Sequence, residues 1–106
     1  MVSILPADLM AKILRGEAPV ILDVRSKAEY DAGHVPGALH VPFWHVKATM
    51  PTLAVTPGAP LVVYCGHGPR AWMAGAALRT LGFDDVTYLA GHMSRWKREG
   101  LPEQPA

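Results

Sequence analysis

Three short runs of mostly apolar residues restrict the fold of this chain more than anything else in it. They are residues 20–24 (VILDV), 61–65 (LVVYC) and 86–89 (VTYL). Such runs, bounded by turn-forming residues, read as strands buried on both faces, not as strands with one wet side. Shorter extended pieces are expected at 2–4 and 38–41. Helical stretches separate these runs. Pro6 suits a first helical turn, and Leu9, Met10, Ile13 and Leu14 form one apolar face ahead of Gly16. Ser26 and Glu29 have the spacing of a capping box, which predicts a short helix to about Ala32 with Gly33 as its stop. Residues 43–50 read as a third helix ended by Pro51, residues 70–81 as the longest, stopped by Gly82, and residues 94–99 as a last one before Gly100. Strands alternating with helices predict an α/β fold in which helices cover both faces of a parallel sheet. Sheets of this kind carry their chemistry in loops at the carboxyl ends of strands. The loops after Val24 and after Tyr64 are therefore the ones to read closely.

The chain has 106 residues, enough for one domain over 1–106 with its own core. Half of the residues are apolar and 18% are charged, a globular composition, and the net charge of +1 excludes an electrostatic binder of nucleic acid. Arg95, Lys97 and Arg98 are the one basic cluster and read as a solvated helix face. No run approaches the roughly 20 apolar residues of a membrane span. The first residues lack a basic segment, and Pro6, Asp8 and Lys12 interrupt their apolar stretch, so a cytoplasmic protein is expected. The single cysteine, Cys65, permits no intramolecular disulfide and suits a reducing compartment.

Cys65 opens the segment Cys65-Gly66-His67-Gly68-Pro69-Arg70, which leaves a strand and enters a helix. The first helical turn offers unpaired N–H groups and the positive end of the helix dipole. Glycines let the backbone curl so that several N–H groups face one anion. A thiolate in such a cradle is stabilised and becomes an available nucleophile. Arg70 sits against the helix dipole, which suggests a compensating anion, for which a bound oxyanion is a candidate. The competing reading makes Cys65 a buried core residue at a strand end.

The pattern Cys-x-x-Gly-x-Arg after a strand resembles the active-site loop of rhodanese domains. The resemblance extends along nearly the whole chain: Leu22-Asp23-Val24-Arg25, Glu29-Tyr30 and Gly33 to Ala38 resemble the first family signature, Leu78 to Phe83 the segment after the catalytic helix, and Tyr88 to Gly91 with Trp96 the closing signature. It implies a rhodanese-like fold, a central parallel five-stranded sheet flanked by helices on both faces. It also implies a sulfurtransferase in which Cys65 attacks the outer sulfur of a donor such as thiosulfate, becomes a persulfide, and passes the sulfur to cyanide or a thiol. The backbone N–H groups of Gly66, His67, Gly68, Arg70 and Ala71 would hold the persulfide, and the Arg70 side chain would bind the anionic donor. No cofactor is implied.

This chain departs from the family pattern in places. Pro69 removes one N–H from the cradle. His67 is open to two readings, a charge or proton relay near neutral pH or an exposed loop residue. His92 stands where the family more often has glycine, with some strain expected if φ is positive there. Asp23 and Arg25 either line the site or form an ion pair that fixes the loops around it. His34 reads as a hydrogen-bonding turn residue. Trp44, Trp72 and Trp96 read as core or rim packing, with Trp44 and Trp72 near the mouth of the site. The five histidines show no ligand spacing, so no metal is expected.

Three rivals share these residues. A cysteine-dependent phosphatase or arsenate reductase is disfavoured, because the phosphatase loop is one residue longer than the four that separate Cys65 from Arg70. A regulatory binding module is disfavoured by the intact Cys65. A persulfide relay to a protein acceptor needs the same Cys65 chemistry and is not separable from thiosulfate turnover by sequence. Partner identity and oligomeric state stay open, and residues 43–50 are either core or a partner surface.

Overall fold

A computed structural model describes residues 2–105. Five strands, β1 (Ser3–Ile4), β2 (Val20–Asp23), β3 (Leu39–His40), β4 (Leu61–Tyr64) and β5 (Val86–Leu89), form one sheet in the order β1-β5-β4-β2-β3, and every pair is parallel. The helices are α1 (Pro6–Leu14), α2 (Lys27–Ala32), α3 (Val46–Thr49), α4 (Pro69–Thr80) and α5 (His92–Arg98). Among the described residues no helix is long and apolar enough to cross a membrane.

Alternation along the strands divides the core in two. Leu22, Val24, Leu61, Val63 and Cys65 face α3 and α4, where they meet Val46, Met50, Ala71, Ala74 and Leu78. Ile21, Val62 and Tyr64 face the other layer and pack with Leu9 of α1 and with Met93 and Trp96 of α5. The pleat thus sends Cys65 toward the start of α4 and its neighbour Tyr64 toward α5. Helix α4 buries a stripe of small residues, Ala71, Ala74 and Gly75, with Leu78. A Cβ on Gly75 would run into the Tyr88 hydroxyl of β5, so glycine is what lets the helix lie this close to the sheet.

Several boundaries differ from the sequence expectation. Cys65 lies beyond β4, because its N–H leaves the strand ladder for the imidazole of His92. Helix α4 starts at Pro69, whose missing N–H suits the first helical position. Residues 43–52 are not one helix: two turns of 3-10 helix, Phe43–His45 and Met50–Thr52, flank α3, and Pro51 lies inside the second of them instead of ending a helix. Helix α5 starts two residues early, because the N–H groups of Met93 and Ser94 find the carbonyls of Cys65 and Gly66.

Strands β2 and β4 are neighbours whose onward connections leave in opposite directions, β2 to β3 and β4 to β5. A crevice opens at such a point in a parallel sheet. The loops carrying Arg25 and Cys65 lie side by side there.

Candidate active site

Cys65 is 1% exposed, and its Sγ accepts a hydrogen bond from the Gly68 N–H at 2.9 Å. Gly68 has φ 140°, and a Cβ there would lie 2.9 Å from the Trp72 ring, so only glycine both turns the chain into α4 and fits beneath that ring. Arg70 and Ala71 follow in the first turn, where backbone N–H groups have no partner inside the helix. His67 is exposed at the loop tip. The carbonyls of Cys65 and Gly66 are held by the first N–H groups of α5. The loop is therefore tied to helices at both of its ends.

A buried polar network supports it from below. Arg25 makes a fork-like contact with Asp23, with Nη2 2.7 Å from Oδ2, and also donates to the Gly33 carbonyl at 2.8 Å. The Tyr64 hydroxyl donates to Asp23 Oδ2 at 2.7 Å and accepts from the Val35 N–H at 3.1 Å. Burial opposes the Arg25 charge, but the hydrogen bonds and charge of Asp23 outweigh it and raise its pKa. Burial, reinforced by the Asp23 charge, pushes the Tyr64 hydroxyl well up. Asp23 and Arg25 are thus joined to each other and to the turn after α2. His34 is held in that turn too, with its ring stacked on Tyr30 at 3.8 Å and Nδ1 2.9 Å from the Tyr30 carbonyl.

Two residues matter here in ways that linear reading missed. Glu29 does complete the capping box with Ser26, but it also grips Arg70, Oε1 to Nη1 at 2.6 Å and Oε2 to Nη2 at 3.1 Å. The anion that compensates Arg70 is thus a carboxylate of the chain itself. The hydrogen bond to Arg70 holds the Glu29 carboxyl down at about 2, despite partial burial. No local signal links positions 41 residues apart. His92 is the second. It has φ 54°, and its Nδ1 accepts from the Cys65 N–H at 3.2 Å. That bond requires the neutral ring with its proton on Nε2, and burial lowers the His92 pKa accordingly. Its place in the closing signature was the available clue.

A recess of about 330 Å³ opens beside the loop, bordered by Arg25, Glu29, Gly66, His67, Ser94 and Lys97. Another, of about 310 Å³, lies at the amino ends of the strands among Lys12, Pro60 and Thr87, away from Cys65. The sheet topology and the position of Cys65 both favour the first. It borders the loop whose Gly68 N–H holds the buried Cys65 Sγ at the start of α4, with the Arg25 guanidinium on its wall.

Comparisons with known proteins agree with this architecture. The rhodanese-like domain model matches residues 6–99. The thiosulfate sulfurtransferase GlpE of Pseudomonas fluorescens (strain SBW25) is 37% identical over 87 residues, covering 82% of this chain and 78% of the relative. A sulfurtransferase of Allochromatium vinosum is 31% identical over 95 residues, covering 90% and 87%. The crystal structure of a rhodanese-related protein from Thermoplasma volcanium superposes with a TM-score of 0.83 at 27% identity over the whole of both chains. Relatives named sulfurtransferases support a transferase of the rhodanese type, and with a domain model spanning most of its length the chain belongs to the rhodanese-like family.

Proposed function

We infer that this protein moves sulfane sulfur through a persulfide on Cys65. The Cys65 thiolate attacks the outer sulfur of a donor such as thiosulfate. A new S–S bond forms on Sγ, the donor's S–S bond breaks, and its electron pair leaves on sulfite. A thiophilic acceptor, cyanide or a thiol, then attacks the outer sulfur and restores the thiolate. The observation that carries this reading is the Gly68 N–H aimed at Cys65 Sγ at 2.9 Å, at the start of α4. Fixed backbone donors stabilise negative charge on sulfur without reorganising. The N–H groups of Gly66, His67, Gly68, Arg70 and Ala71 are the proposed support for the persulfide, and Arg70 the proposed contact to the donor.

A protein thiol as acceptor is a second reading. It is favoured by Trp72 and Met73, which are 46% and 59% exposed on the first turns of α4, next to the loop. Large exposed apolar side chains beside a reactive group suit a docking partner.

The test is intact-protein mass spectrometry after incubation with thiosulfate, on the wild type and on Cys65→Ser. A gain of one sulfur atom on the wild type alone, removed by cyanide, is expected. No gain on folded, reduced wild type with any sulfane donor would overturn the proposal.

A further inference from the structure

The cations around the Cys65 loop each come with a carboxylate. Arg25 is paired with Asp23, Lys97 with Glu103 at 2.8 Å, and Arg70 with Glu29 through two hydrogen bonds. The Arg70 guanidinium lies across Gly66, whose Cβ position is 3.1 Å from Nη2, so the pair stands at the loop itself. Glu29 is not free to swing away. Its Oε1 also accepts from the Ser26 N–H at 3.1 Å and from the Ser26 hydroxyl at 2.9 Å. With its carboxyl held at about 2, it stays charged down to strongly acidic pH. An anion entering the recess therefore meets side-chain cations that are already paired, and only the start of α4 is left as an uncompensated positive end. It must share Arg70 with Glu29, and repulsion from Glu29 grows with the charge of the donor.

We propose that Glu29, acting through Arg70, sets the donor class: the site takes sulfur from sulfane donors of one negative charge or none, such as a persulfide or an organic thiosulfonate, in preference to the thiosulfate dianion. Glu29 is thus a positioning and specificity residue. The inference rests on the sulfur-transfer reading above. With a thiosulfonate, the Cys65 thiolate bonds to the outer sulfur, the donor's S–S bond breaks, and the electron pair leaves on the sulfinate. With a persulfide it leaves on the thiolate. Neither step needs an oxidant or a reductant.

The test compares kcat/KM for thiosulfate and for benzenethiosulfonate in the wild type, Glu29→Gln and Glu29→Asp. Gln still serves at this position of a capping box, so the cap stays while the charge goes. Glu29→Gln is expected to raise kcat/KM for thiosulfate roughly fivefold, through KM, and for benzenethiosulfonate roughly twofold. The difference shrinks in high salt, and Glu29→Asp keeps the wild-type ratio. Equal changes with both donors, or none, would leave Glu29 a helix cap and overturn the proposal. If Glu29→Gln does not fold, the wild type decides: a charge-balanced recess predicts thiosulfate turnover nearly independent of salt, and a steep fall with salt would overturn it. Wild type that takes sulfur from neither donor brings down the sulfurtransferase reading itself, a result separate from a missing donor split.

Discussion

The backbone N–H of Cys65 donates to Nδ1 of His92, 27 residues further along the chain. The bond ties the residue after β4 to the first residue of α5, and it depends on a neutral imidazole. Burial lowers the His92 pKa below its ordinary value of about 6.5, so as pH falls the unfolded chain takes up the proton before the folded one does. The contribution of His92 to stability is complete above about pH 6.5 and is lost as pH falls toward the folded value. His92→Asn keeps an acceptor, tolerates the left-handed φ of 54°, and does not titrate. Thermal unfolding at pH 8 and pH 5.5 is expected to show wild type losing stability relative to this variant. Parallel behaviour at the two pH values would remove His92 from the account.

The pair Arg70–Glu29 makes a second prediction. Arg70→Ala leaves a half-exposed carboxylate beside the Cys65 loop with no cation to balance it. Use of anionic donors suffers from both the lost guanidinium and the bare charge, so kcat/KM for thiosulfate should fall by about tenfold or more. Most of the loss is expected in KM. An unchanged KM for thiosulfate would count against a role for Arg70 in donor binding.

Tyr64→Phe removes the hydroxyl that donates to Asp23 and accepts from Val35, in a place where Tyr64 and Asp23 are both fully buried. Two buried polar groups each lose a partner, which should cost about 2–3 kcal/mol of unfolding free energy in urea. Sulfur loading in the protein that stays folded should survive, since the hydroxyl points away from Cys65 into the other core layer. A loss below about 0.5 kcal/mol would mean that the network relaxes without it.

Gly75→Ala tests the packing of α4 on β5. The added methyl meets the Tyr88 hydroxyl, which sits under the helix with little room to move. Overpacking of this kind is expected to destabilise by about 1–3 kcal/mol. The double variant Gly75→Ala with Tyr88→Phe, which clears the hydroxyl, should recover part of the loss. No recovery would locate the strain elsewhere.

Much of the architecture was legible in the sequence because it rests on local chemistry. Mostly apolar runs at 20–24, 61–65 and 86–89 mark buried parallel strands, and helix starts are marked by the Ser26–Glu29 capping box, through hydrogen bonds made within a few residues, and by Pro6, through its fixed φ. The loop from Cys65 to Arg70 could be picked out as chemical for the same reason, since a glycine-containing strand-to-helix turn carries its donors in its own backbone. Residues 43–52 resisted, because competing short-range turns there are decided by packing against α4 and not by a local pattern.

What the sequence by itself determined, then, was most of the elements, their alternation and the position of the cysteine loop between a strand and a helix. The tertiary structure decided which side chains stand around Cys65. Glu29 reaches Arg70 across 41 residues, Tyr64 reaches Asp23 across 41, and Cys65 reaches His92 across 27, because neighbouring parallel strands bring their following loops to one edge of the sheet. Each of these contacts depends on sheet order and on which face the pleat presents. Those are properties of the assembled strands, which no single stretch of the chain contains.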